Sequence, residues 1–72
     1  MATTVRAHIA GTVWKIEVGV GDQVSEGQTV VILESMKMEM PVESPAAGKV
    51  AAIHVTAGQA VEEGGPLLDL HP

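Results

Sequence analysis

The chain has no cysteine, no phenylalanine and no tyrosine, a single tryptophan, and only four lysine and arginine residues in 72. Without cysteine there can be no disulfide and no thiolate metal site, which fits a reducing compartment. No apolar run approaches the roughly 20 residues of a membrane-spanning helix, and the N-terminus carries no basic, apolar, cleavable leader. The expectation is a cytoplasmic protein with no membrane partner. The cations, Arg6, Lys15, Lys37 and Lys49, are scattered, and the net charge is −5. That argues against nucleic acid, whose phosphates demand clustered Lys and Arg. One aromatic residue, Trp14, makes no stacking platform for bases. The acidity itself reads as ordinary solubility rather than as a docking surface.

Uninterrupted helix is missing too. Eight Gly and four Pro punctuate the chain every few residues. Between them lie 15 Val and Ile against four Leu. β-Branched side chains fit a pleated surface and lose rotamer freedom in a helix. The expectation is an all-β fold in one domain, residues 1–72. A chain this short buries only about 60% of its unfolded surface, so its core is thin.

The chain is also two copies of one unit. Laying 11–33 over 48–70, an offset of 37 (48 minus 11), gives nine identities in 23 ungapped pairs. Gly11, Gly21 and Gly27 fall on Gly48, Gly58 and Gly64; Val13, Ile16, Val18, Val24 and Leu33 fall on Val50, Ile53, Val55, Val61 and Leu70. Two copies are too few for a solenoid, so a closed pseudo-twofold domain is expected. The counterpart of Lys37 falls at the chain ends. Lys37 should therefore sit at one end of the molecule and both termini at the other.

The alternating pattern places strands at 4–9, 12–18, 29–33, 38–43, 49–55 and 66–70, with short strands at 23–25 and 60–61. Val13 is out of phase with Ile16 and Val18, and Val50 with Ile53 and Val55. An extra residue is needed to keep all of them inside, so a bulge is expected near Trp14-Lys15 and again near Ala51-Ala52. Trp14 reads as a core anchor, the alternative being part of an exposed partner face. Residues 29–33 form a continuous apolar run, which suggests a strand buried on both sides or partly against the other half. Asp22 should tie its turn through its carboxylate. Pro41 lacks a ladder donor and belongs on an edge or outward side. The sum is about eight short strands in two antiparallel sheets, a flattened barrel or sandwich with the lysine on a hairpin tip.

Lys37 stands between Met36 and Met38 in Glu34-Ser35-Met36-Lys37-Met38-Glu39-Met40. A lysine in a hairpin turn is most often only solvated, but tips rarely carry two large apolar residues. A nucleophilic lysine would have to be neutral, which requires desolvation or nearby cations. Here Glu34 and Glu39 favour the ammonium form, and no general base is near in sequence. His8, His54 and His71 show no ligand or catalytic spacing. No catalytic residues and no metal site are expected. The third reading, a lysine that another enzyme acylates, asks only for a rigid, accessible amine with recognisable neighbours. Methionine suits such neighbours because it is flexible and polarisable.

Gly11-Thr12-Val13, Gly21-Asp22, Gly27-Gln28, Glu34-Ser35-Met36-Lys37-Met38, Gly48, Gly58 and Gly64 together resemble the biotinyl/lipoyl attachment domains, most closely the small stand-alone biotin attachment proteins. The resemblance covers almost the whole chain. It implies that Lys37 carries covalent biotin, placed there by a biotin protein ligase that recognises Met36, Met38 and Glu34. The six glycines Gly11, Gly21, Gly27, Gly48, Gly58 and Gly64 would shape the hairpins. It further implies a non-catalytic, monomeric carrier serving biotin carboxylase and carboxyltransferase subunits. The Glu34-Ser35 pair is similar instead to lipoyl domains, which keeps lipoate as the alternative cofactor; an unmodified interaction module is a third reading. The family's Pro-Met-Pro-Gly pattern is replaced by His8-Ile9-Ala10-Gly11, and 21–28 is too short for an inserted thumb loop. Met1 and the tidy ends suggest a natural small protein.

Overall fold

Each apolar run between two glycine- or proline-bearing turns becomes one strand. The computed structural model describes residues 2–72. It contains β1 Thr3–Arg6, β2 Gly11–Ile16, β3 Gln23–Val24, β4 Thr29–Ser35, β5 Met38–Glu43, β6 Gly48–Ile53, β7 Ala60–Val61 and β8 Pro66–His71. No helix occurs among the described residues. The strands form two antiparallel four-stranded sheets, β1-β8-β6-β3 and β5-β4-β2-β7. The sheets do not close on each other, so the molecule is a flattened sandwich and not a barrel. The first two strands are shorter than the alternation suggests. β1 stops at Arg6 and β2 at Ile16, where the chain leaves one sheet for the next turn.

The 37-residue repeat is visible in the ladders. Leu33 pairs with Met40, and Leu70 pairs with Thr3, which is Met40 minus 37. Val13, Val50, Leu33 and Leu70, two symmetry pairs, are all but fully buried. Large β-branched and leucine side chains from both sheets fill the space between them, and removal of that apolar surface from water is the main stabilising force.

Bulges occur at both expected places. Val13 pairs with Leu33 and Lys15 with Ile32, leaving Trp14 as the extra residue. Val50 pairs with Leu70 and Ala52 with Asp69, leaving Ala51. A second symmetric pair of bulges was not legible in the alternation. Val30 is extra against Glu43 and Val42, and Leu67 is extra against Val5 and Arg6. This corrects the reading of 29–33. The strand is not buried on both sides. The bulge turns Val30 and Val31 both inward at 0% exposure, while Ile32 points out and is half-buried. Trp14 also departs from expectation: it is 47% exposed and lies outside the core. At this bulge the extra residue is left out of the ladder and faces solvent, as its counterpart Ala51 does, whereas Val30 and Leu67 at the other pair of bulges are buried.

Backbone turns follow the glycines. Gly21, Gly27, Gly58 and Gly64 all have positive φ, between 84° and 94°. Asp22 ties its turn as expected, accepting from the Gly19 amide at 2.8 Å. Gly11 and Gly48 serve differently. Neither is in a turn. A Cβ on Gly11 would stand 2.7 Å from the Glu34 carbonyl oxygen, and one on Gly48 2.6 Å from that of His71. Both are places where two backbones approach too closely for any side chain.

One feature breaks the symmetry of the outer faces. On the β1-β8-β6 face, the Thr4 hydroxyl donates to Asp69 Oδ1 at 2.9 Å, and His54 Nε2 lies 3.0 Å from Asp69 Oδ2. The hydrogen bond from His54, then that from Thr4, holds the Asp69 carboxyl below its ordinary pKa.

Candidate functional site

β4 and β5 form a two-residue hairpin, with Ser35 opposite Met38 as the closing pair. Its central residues are Met36, at φ 52°, and Lys37, at φ 66°. Two consecutive left-handed residues make a turn of the I′ type, whose twist matches that of the flanking strands. Such turns ordinarily take Asn-Gly, because a Cβ in this region costs about 1–2 kcal/mol per residue. Met36 and Lys37 are the only non-glycine residues with positive φ among those described. Strain of this kind persists where the surrounding structure enforces it, and it clusters at functional sites.

The tip is presented, not enclosed. Lys37 is exposed, Met36 is 92% exposed and Met38 62%. The ion pairs found among the described residues, Lys15–Glu17 and His54–Asp69, do not involve Lys37. Behind the tip lies an apolar hollow of about 230 Å³ lined by Ile9, Ser35, Met36, Met38 and Met40. The tip therefore borders an open apolar hollow while its lysine is exposed to solvent. Glu34 and Glu39 face each other across β4 and β5, one pair below the closing pair. No three metal-binding side chains cluster among the described residues.

The fold thus brings Glu34, Met36, Lys37, Met38 and Gly11 to one end. Gly48 occupies the symmetric place beside the chain ends, and Gly21, Gly27, Gly58 and Gly64 belong to other turns. Ile9 and Met40, which help build the hollow, fall in predicted strands but were given no site role. Ile9 keeps the inward phase of Val5 and Ala7 past the end of β1, but only the crossover between sheets sets it beside the tip. Thr3 and His71, near the chain ends, lie away from the tip. β1 begins beside Leu70 and carries the chain along the sandwich to the crossover that ends at Gly11, next to Glu34. The molecule measures 33 × 18 × 18 Å, so this run takes up much of its long axis.

An exposed primary amine on a rigid apex, with no acid–base partner beside it, is suited to being acylated. Comparison with known proteins bears on which family presents such an amine. The family model of biotin-requiring enzymes, Biotin_lipoyl, matches residues 1–70. The chain belongs to this family. Within the Biotin_lipoyl family, the biotin/lipoyl attachment protein of Bacillus subtilis is 46% identical over 67 residues, which are 93% of this chain and 92% of that protein. The biotin carboxyl carrier protein of Streptococcus mutans serotype c is 48% identical over 69 residues. That match takes in 96% of this chain but only 53% of the relative, so the chain spans about half that protein's length. Among solved structures, a part of the urea carboxylase of Kluyveromyces lactis superposes with a TM-score of 0.93 at 35% identity, over 99% of this chain and 6% of the carboxylase. A single-chain, multi-domain long-chain acyl-CoA carboxylase contains a similar unit, with a TM-score of 0.89 and 37% identity.

Proposed function

We propose that this protein is a biotin carrier in which Lys37 is the attachment residue. The observation that carries the reading is the tip itself: an exposed lysine at the apex of a strained two-residue hairpin, between two exposed methionines. The residues present fit the group. The amine is accessible, no carboxylate binds it, and β4 and β5 brace its backbone. A biotin protein ligase would supply an activated carboxyl; the neutral Nζ of Lys37 would attack its carbon, the bond to the activating group would break and that group would leave, and the nitrogen would lose a proton to give the amide. Met36 and Met38 would lie against the ligase, since their side chains adapt to a surface without demanding one shape. When bound, biotin supplies a ureido nitrogen that accepts and releases a carboxyl group.

The protein's own part is presentation. The rigid sandwich holds the lysine stem clear of the surface, and the flexible stem lets one arm reach two sites. Tethering turns the second encounter into an intramolecular one and raises the effective concentration of the carried group. Biotin carboxylase and carboxyltransferase sites are the expected partners, because carriers and carboxylases are prominent among its relatives and structural neighbours. Lipoate is the second reading, favoured by Ser35 ahead of the Met-Lys pair.

The test is the intact mass of the protein from its own host, with fragmentation across Lys37. A single biotinyl increment on Lys37 is expected, and Lys37→Ala should fold and carry none. A lipoyl increment would move the protein to acyl transfer. An unmodified mass in a cell with an active ligase would overturn both.

A further inference from the structure

We propose that the outward face of the β5-β4-β2 sheet, centred on Trp14, Ile32 and Pro41 and bordered by Glu34 and Glu39, is where the enzyme that acylates Lys37 docks, meeting it with an apolar patch rimmed by basic side chains. The proposal rests on the carrier reading given above and adds to it a surface outside the hairpin tip.

The internal repeat supplies the control. Each residue of this face has a counterpart 37 positions away in the same fold. Trp14 corresponds to Ala51, Ile32 to Asp69 and Pro41 to Thr4. The two triads occupy the same ladder positions, with Ile32 opposite Pro41 and Asp69 opposite Thr4, beside the equivalent bulges. On one sheet the triad is small, with Thr4 bonded to Asp69 beside the methyl group of Ala51. On the other it is apolar, although its indole is 47% exposed and Pro41 is exposed. Since the polar version satisfies the fold, the fold does not require the apolar one. Trp14 is the chain's only aromatic side chain, and it is placed where it contributes little to the core. An exposed apolar patch that holds a tryptophan and is rimmed by polar residues is characteristic of association surfaces.

Charge selects the occupant. Glu34 and Glu39 are direct cross-strand neighbours, an arrangement that destabilises a sheet. Neither is paired with a cation among the described residues, and Lys15, the one cation on this face, is held by Glu17 at 3.4 Å. A second copy would bring acid against acid in a chain of net charge −5, which disfavours self-association. A partner with a basic rim relieves the repulsion and gains from it.

Position selects the enzyme. Ile32 is three residues from Ser35 in the closing pair, a rise of about 10 Å at about 3.3 Å per residue, with the Met36-Lys37 turn just beyond. Face and tip fit within one standard footprint of about 800 Å² per partner. An enzyme acting on the bare amine must hold the tip itself, so it necessarily covers the ground beside it. Enzymes acting at the far end of an attached arm need no such contact.

The experiment measures steady-state biotinylation of the purified protein by the biotin protein ligase of the same cell, with unfolding midpoints recorded for each variant. Wild type should be modified at Lys37, with a KM that rises with salt. Trp14→Ala should raise KM about tenfold, as loss of an interface tryptophan commonly does, with kcat changed less than twofold. Glu39→Lys should also raise KM while leaving the fold intact, and it decides the matter if Trp14→Ala does not fold. His54→Ala, on the other sheet, should leave KM unchanged. Folded Trp14→Ala and Glu39→Lys with wild-type KM would overturn the docking surface and leave the carrier reading standing. Wild type that the ligase does not modify would overturn the carrier reading, and this one with it.

Discussion

Lys37 sits in a backbone conformation that suits it poorly. Both it and Met36 hold positive φ, where glycine and asparagine are the usual occupants. Relief of one left-handed Cβ is worth about 1 kcal/mol. Lys37→Gly should therefore raise the denaturation midpoint, by about that much in unfolding free energy, and abolish attachment. A midpoint at or below wild type would mean that the turn relaxes in solution. Met36→Asn should act in the same stabilising direction. A chain that keeps two strained side chains at its most exposed point gives up stability for what those side chains present. The lysine was legible in the sequence because of its methionine neighbours and its place at the centre of the repeat. Its strain was not, because φ belongs to the closed hairpin and not to the residues.

At the scale of elements, the start of β2 and the end of β4 are locked by backbone contact. Gly11 lies against the Glu34 carbonyl, and Gly48 lies against that of His71 in the symmetric place. Adding a methyl group at either site forces the strands apart, an overpacking cost of about 1–3 kcal/mol. Gly11→Ala and Gly48→Ala should lower the unfolding midpoint by similar amounts. Only Gly11→Ala should also slow attachment at Lys37, because it displaces the strand that ends in the hairpin. Equal attachment rates in the two variants would show that the tip does not depend on this contact. The sequence marked both glycines through the repeat but suggested hairpin turns for them. Close approach between strands distant in sequence is a tertiary fact, whereas Gly21 and its three relatives, already bracketed by polar turn residues, were readable locally.

For the molecule as a whole, one polar cluster fastens the N-terminal strand. Thr4 on β1 and His54, just past β6, both bond Asp69 on β8. The Asp69 pKa is depressed, chiefly by the bond to His54. A carboxylate with a lowered folded-state pKa contributes stability above its unfolded pKa, near the usual 3.9, and that contribution is lost as the pH falls through the folded value. Wild type should therefore lose unfolding free energy on acidification through this range, and Asp69→Asn should lose less over the same range. Identical acid profiles for the two would mean that the cluster is too well solvated to matter. The apolar counterpart of this cluster on the other sheet has no such bonds, so the two halves of the sandwich should differ in acid sensitivity. The effect belongs in amide exchange as well, with β1 and β8 opening before β4 and β5 at low pH.

The sequence by itself determined the all-β class, the twofold repeat, the turn glycines, the bulges at Trp14 and Ala51 and the lysine at the apex. Each rests on local alternation, turn chemistry or self-similarity, and all of these are written along the chain. Only the tertiary structure decided that the sandwich stays open, that a second pair of bulges folds Val30 and Leu67 inward, that Ile9 and Met40 line the hollow beside the tip, and that Trp14 faces solvent. These depend on which strands meet and how closely. A bulge is counted only against its partner strand, and an indole is inside or outside only once two sheets have left it room or none.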